Sequence, residues 1–105
     1  ISGAWVINLD LQKDSKREEL KSVRSRALDD IKHTFKDGSV YQVRPSDLYN
    51  FVMAIQEGKS EEWVLDNNTV RLTTVPEMQE CLNSGIAQGK DIWRKHTAAL
   101  QALNK

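Results

Sequence analysis

Few side chains in this sequence could do covalent or metal chemistry: one cysteine, Cys81, and two histidines, His33 and His96. A thiol–imidazole dyad within one element would have to join Cys81 to His96, which a continuous helix would set roughly 22 Å apart, far beyond hydrogen-bond reach. His33 could meet Cys81 across the fold, but nothing in the pattern requires it. The ordinary role of an isolated cysteine is that of a small buried hydrophobe, and two histidines without clustered acids do not make a zinc site. Gly89-Lys90 lacks the rest of a phosphate loop and falls inside a helical stretch. Asp66-Asn67-Asn68 lacks the ligand spacing of a calcium loop, and Asn67-Asn68-Thr69 fits the glycosylation acceptor pattern with no secretion leader to accompany it. No enzyme, metal or cofactor is expected.

Charge points the same way. The 105 residues carry 15 Lys and Arg against 15 Asp and Glu, so the formal net charge is zero and no long-range field gathers nucleic acid or anionic lipid. The one concentration of bases is Lys13, Lys16, Arg17, Lys21, Arg24, Arg26 and Lys32. Five acids interleave with these seven bases, Asp14, Glu18, Glu19, Asp29 and Asp30, which leaves a net of about +2 and reads as a solvated helix face. A nucleic-acid-binding regulator working through these bases is the alternative. Apolar runs as short as Trp5-Val6-Ile7 do not make a membrane span, and a single cysteine allows no internal disulfide. A leader-free chain that begins at Ile1 reads as an intracellular fragment or processed product.

Periodicity sets out the secondary structure that would hold these residues. Ala4 to Leu11 place Trp5, Ile7, Leu9 and Leu11 on one face at period two, which suggests an N-terminal strand or a linker over residues 1–12. From residue 13 to 105 a single α+β domain is expected. Leu20, Val23, Ala27 and Ile31 form one stripe of a first helix over about 14–33. Asp37-Gly38 between Thr34-Phe35-Lys36 and Val40-Tyr41-Gln42-Val43 predicts a hairpin. Arg44-Pro45 ends it, and Ser46 can cap a short second helix carrying Leu48, Phe51, Val52 and Ile55 before Gly58 stops it. A second hairpin joins Glu62-Trp63-Val64-Leu65 to Thr69-Val70-Arg71-Leu72-Thr73 through Asp66-Asn67-Asn68. The helix–hairpin order recurs, but the units share no register of residues that would mark an internal repeat.

Thr74-Val75-Pro76-Glu77 matches a capping box, and a long last helix comes after it. Met78, Leu82, Gly85, Gly89, Ile92, His96, Ala99 and Leu103 recur at alternating steps of four and three, a heptad seam. Unbroken, that helix is on the order of 43 Å long, whereas a compact chain of about 100 residues has a radius of gyration of roughly 13 Å. Either it bends at Gly85 and Gly89 or its C-terminal half projects and needs a partner, the first helix or another protomer. Gly85, Gly89, Ile92, Trp93, His96, Leu100 and Leu103 are the interface candidates, with the two glycines letting a neighbouring backbone approach closely.

The succession of Arg24-Ser25-Arg26-Ala27-Leu28, Phe35-Lys36-Asp37-Gly38-Ser39-Val40-Tyr41, the short helix with Leu48 and Ile55, Glu62-Trp63-Val64-Leu65-Asp66-Asn67-Asn68-Thr69-Val70-Arg71-Leu72-Thr73, and the helix around Gly89, Ile92 and Trp93 resembles a domain family of tailed-phage and prophage tail proteins. It spans about residues 14 to 103. The resemblance implies a structural part of a tail fibre or host-adsorption apparatus, or an accessory chaperone of fibre assembly, located in the virion tail or in the host cytoplasm during assembly. It supplies no catalytic residue. The expected partners are other tail or fibre proteins and further copies of the chain, met through the C-terminal helix and exposed hairpin surfaces, with no membrane and no nucleic acid.

Overall fold

The computed structural model describes residues 2–103, with side chains from residue 13 onward. The order is helix α1 (Ser2–Asp29), strands β1 (Lys32–Thr34) and β2 (Val40–Gln42), helix α2 (Pro45–Glu57), strands β3 (Glu61–Val64) and β4 (Val70–Thr73), and helix α3 (Val75–Leu103). This is the expected α+β arrangement of two hairpins, a short helix and a long final one. Its beginning differs: the backbone of residues 2–12 is helical and continuous with α1, so Ala4–Leu11 is not a strand. The period-two run of four apolar residues is too short to outweigh a helix already propagating on its C-terminal side, where each further residue adds a hydrogen bond. The end of α1 also comes early. Asp29 and Asp30 oppose the helix dipole, and the chain turns there so that Lys32 and His33 enter β1 instead of a last helical turn.

Each hairpin leads into a capped helix, and the two ββα units share one register thirty residues apart. His33 pairs with Tyr41 as Trp63 pairs with Arg71, and Thr34 with Val40 as Val64 with Val70. The turns are built alike. Phe35 N–H donates to Ser39 C=O at 2.9 Å and Gly38 N–H to Phe35 C=O at 3.0 Å; Leu65 N–H donates to Thr69 C=O at 2.8 Å and Asn68 N–H to Leu65 C=O at 3.0 Å. Gly38 and Asn68 hold the positive φ (88° and 65°) that such three-residue loops need. Asp37 and Asn67 each accept the N–H two residues on. An internal repeat therefore exists, contrary to the reading of the sequence. Residue identity conceals it, because Phe-Lys-Asp-Gly-Ser-Val and Leu-Asp-Asn-Asn-Thr-Val agree in turn chemistry and in only one residue.

The helix starts correspond as well. Thr74 N–H donates to Glu77 Oε1 at 2.9 Å and Glu77 N–H returns to Thr74 Oγ1 at 3.4 Å, the capping box expected for α3. In α2 the cap is Arg44 and not Ser46. Pro45, with its preset φ, takes the first helical position, so Ser46 already lies inside the helix. Asp47 then accepts from Arg44 N–H at 3.0 Å, as Glu77 does from Thr74. Gly58 ends α2 at φ 72°, donating to Ala54 and Ile55, whereas α3 runs through the equivalent position, Gln88.

Ile31, Tyr41, Val43, Phe51, Ala54, Leu65, Met78 and Cys81 form the buried core of this head, with Trp63 stacked on Phe51 at 4.3 Å between centroids. Gly85 sits where α3 crosses Val43 and Leu48. A Cβ there would come within 2.5 Å of Leu48 Cδ2 and 2.8 Å of the Val43 carbonyl. Beyond Gly89, α3 stays helical without a break and leaves the head beside α1, the helices running antiparallel: Arg24 meets His96 while His33, just past α1, meets Glu80. The result is a head carrying a two-helix arm, 67 × 23 × 22 Å overall, with a radius of gyration of 19.3 Å.

Candidate functional site

The heptad seam of α3 divides between two partners. Met78, Leu82 and Gly85 pack into the head beside the buried Cys81, while Ile92, His96 and Ala99 line a groove shared with Leu20, Val23, Arg24 and Ala27 of α1. Of the interface candidates, Gly85 is buried inside the chain. Gly89 is half-buried, and nothing stands within 4 Å of where its Cβ would be, so it permits no close approach of a described neighbour. Leu100 and Leu103 are half-buried near the arm's end. Trp93 is 49% exposed and Val23 52%.

The groove has a volume of about 260 Å³ and its walls are apolar except for Arg24, Lys95 and His96. Arg24 spans it. Its guanidinium lies 4.4 Å above the Trp93 ring, within cation–π range, and its Nη1 donates to His96 Nε2 at 3.3 Å. A guanidinium has no acceptor, so His96 must offer the lone pair of Nε2 and carry its proton on Nδ1. Arg24 Nε is buried without a partner. The sequence showed Arg24 only as one of several bases, and its partners lie 69 and 72 positions away.

The other polar cluster closes on itself. Arg71 Nη1 donates to Tyr41 Oη at 2.7 Å and Thr73 Oγ1 donates its one hydrogen to the Arg71 carbonyl at 3.1 Å, so the 2.7 Å bond between the two hydroxyls is donated by Tyr41. Arg71 also bonds Glu77 at 2.8 Å and lies 3.3 Å from Asp37. The bonds to Tyr41 and Glu77 hold its guanidinium even more firmly charged than usual, and the Thr74 N–H keeps the Glu77 carboxyl below the ordinary carboxylate range. With every partner satisfied, the ring is structural. Tyr41 and Arg71 occupy equivalent places in the two ββα units, so the units join at their corresponding residues. No signal but the repeat itself could have singled out this pair.

Cys81 is fully buried, and burial, with Glu80 and Glu77 nearby, pushes its thiol up to about 12, which leaves no thiolate for chemistry near neutrality. His33 bonds Glu80 at 2.7 Å and not Cys81. Among the described residues no three His, Cys, Asp or Glu converge as metal ligands would, and no helix is long and apolar enough to cross a membrane. The outward face of the second hairpin is apolar: Val64 and Val70, a cross-strand pair, are each 60% exposed, and Leu72 is 64% exposed. Comparison with protein-family models, with curated proteins and with solved structures finds no match, so the chain's own surfaces carry the functional reading.

Proposed function

We propose that this chain is a non-enzymatic assembly module that binds protein through its two-helix arm, a second copy of the arm being its first partner. The supporting observation is the apolar groove along α1 and α3. Two antiparallel helices cannot enclose the stripe they share, and Val23, Ala27, Ile92 and Ala99 leave a trough of the kind a further helix fills in a bundle. Trp93, half exposed and stacked against Arg24 of the groove, is the residue type that dominates binding energy in interfaces. The resemblance of the sequence to tail proteins gives the setting: a component of a phage tail fibre or adsorption apparatus, or a chaperone of fibre assembly. The bases of α1 lend less to a nucleic-acid reading, because Lys16 and Arg17 lie in ion pairs with Glu19 and Asp14 of the same helix, and Arg24 is held by Trp93.

Light scattering coupled to size-exclusion chromatography tests the reading. The chain should elute as a dimer or higher oligomer at micromolar concentration. Val23→Glu, at a half-exposed position that leaves the head untouched, should return it to a monomer with unchanged helicity. A wild-type monomer across the concentration range overturns the proposal.

A further inference from the structure

The two ββα units differ at one edge. In the turns, Phe35 pairs with Ser39 and Leu65 with Thr69 through ladder bonds. Alternation along each antiparallel ladder then turns the backbone groups of Lys32 in β1, and of Glu62 and Val64 in β3, away from their partner strands. In the first unit that edge is covered by α3, where Gln88 donates from Nε2 to the Lys32 carbonyl at 2.9 Å. The residue of α2 equivalent to Gln88 is Gly58, which has no side chain and ends the helix. Glu62 and Val64 are left facing a groove of about 560 Å³ between β3 and α2. β3 and the start of its turn, residues 61–66, line it without a gap, and Asn50, Met53, Ala54 and Glu57, one face of α2, form the far wall.

We propose that this groove receives an extended, lysine- or arginine-bearing segment of a partner protein as a third strand beside β3. The open backbone groups supply the ladder. Charge selects the occupant: Asp47, Glu57, Glu61, Glu62 and Asp66 line the groove and no lysine or arginine does. Asp47 and Asp66 already pair with Arg44 and Lys32, which leaves Glu57, Glu61 and Glu62 for the incoming cations. The same three acids repel a second copy's β3, so edge-to-edge self-pairing is disfavoured. Trp63, stacked on Phe51, and Met53 give apolar side chains of the segment a floor. This site is separate from the arm and does not depend on arm association.

An eight-residue peptide alternating lysine with valine, capped at both ends, is the probe, titrated into isotope-labelled full chain and followed by NMR. Saturable shifts should centre on Asn50, Glu57 and residues 61–66, and the Glu62 and Val64 amides should exchange about tenfold more slowly when the peptide is bound. Glu61→Lys with Glu62→Lys should weaken binding about tenfold or more. Val64→Pro removes an outward N–H that the β3–β4 ladder does not use, and should abolish strand addition while the melting curve shows the head still folded. A peptide with glutamate in place of lysine should not bind. No saturable shift at millimolar peptide overturns the proposal; so do shifts confined to the arm, binding that survives Val64→Pro, and binding without amide protection.

Discussion

The two ββα units are built on the same plan and end differently. Both begin with a five-residue turn closed by identical hydrogen bonds, and both start their helix with an acid three residues past the cap bonding back to it. The first helix then stops at a left-handed glycine, and the second runs on for a total of 29 residues. Helix length is set by the residue at the exit and by the neighbour beyond it, and not by position within the repeat. Gly58 provides an unstrained exit at one place, while at the other Gln88 continues the helix and α1 lies alongside to cover the extension. The short helix leaves a strand edge open, and the long one closes the matching edge and makes the arm.

Substitutions at corresponding positions of the repeat measure how far the likeness extends. The largest effect belongs to Phe51, buried under Trp63: Phe51→Ala should cost about 3–5 kcal/mol, much more than Cys81→Ala at the equivalent place in α3, as read from denaturant melts. Equal losses would mean that the two halves of the core are interchangeable after all. Gly85→Ala drives a Cβ into the Val43 carbonyl, a backbone atom that cannot swing aside, and should cost about 1–3 kcal/mol, or roughly 4–8 °C in Tm per kcal/mol. Gly58→Ala puts a side chain at φ 72° and should cost about 1 kcal/mol.

Acid should act on the second unit's cap. The Glu77 carboxyl is held below its unfolded value, chiefly by the Thr74 N–H, so its contribution is present above pH 4–5 and lost as pH falls through the folded-state value; Asp37, lowered by the Ser39 N–H, has the same sign. Tm should therefore fall from about pH 5 toward pH 3, and Glu77→Gln should flatten that fall. Gly89→Ala is the smallest change and the only favourable one. Nothing stands near the site and the residue is helical, so a gain of about 0.5–1 kcal/mol is expected, and a loss would show that a partner occupies the space.

Local signals carried most of the architecture. Asp37-Gly38, Gly58 and the Thr74–Glu77 box each act through atoms a few residues apart, and each does in the structure what its chemistry dictates. The α3 seam was equally plain, because its stripe faces one continuous side whichever element covers it. What stayed hidden depends on distance or on pattern against type. Arg24 could not be distinguished from the bases around it until Trp93 and His96 came beside it. In β4 the polar Arg71 and Thr73 turn inward and Val70 and Leu72 outward, the reverse of what hydrophobicity alone assigns, because Tyr41 supplies a hydroxyl that closes their hydrogen bonds. The repeat lay hidden because turns constrain backbone angles and not residue names.

The antiparallel arm has a consequence for attachment. α1 and α3 run antiparallel with Arg24 beside His96, so at 1.5 Å per residue α3 ends at Leu103 about level with residue 17, while α1 continues roughly 20 Å farther from the head to Ser2. A tag, fluorophore or neighbouring domain joined ahead of α1 would sit at the far tip, and one joined after α3 would sit partway along α1, both directed away from the hairpins. A pair of dyes placed near residues 17 and 103, which lie level along the arm, should report closeness at all times, and would separate only if the arm came apart, which makes the arm's integrity measurable without touching a single residue of the head.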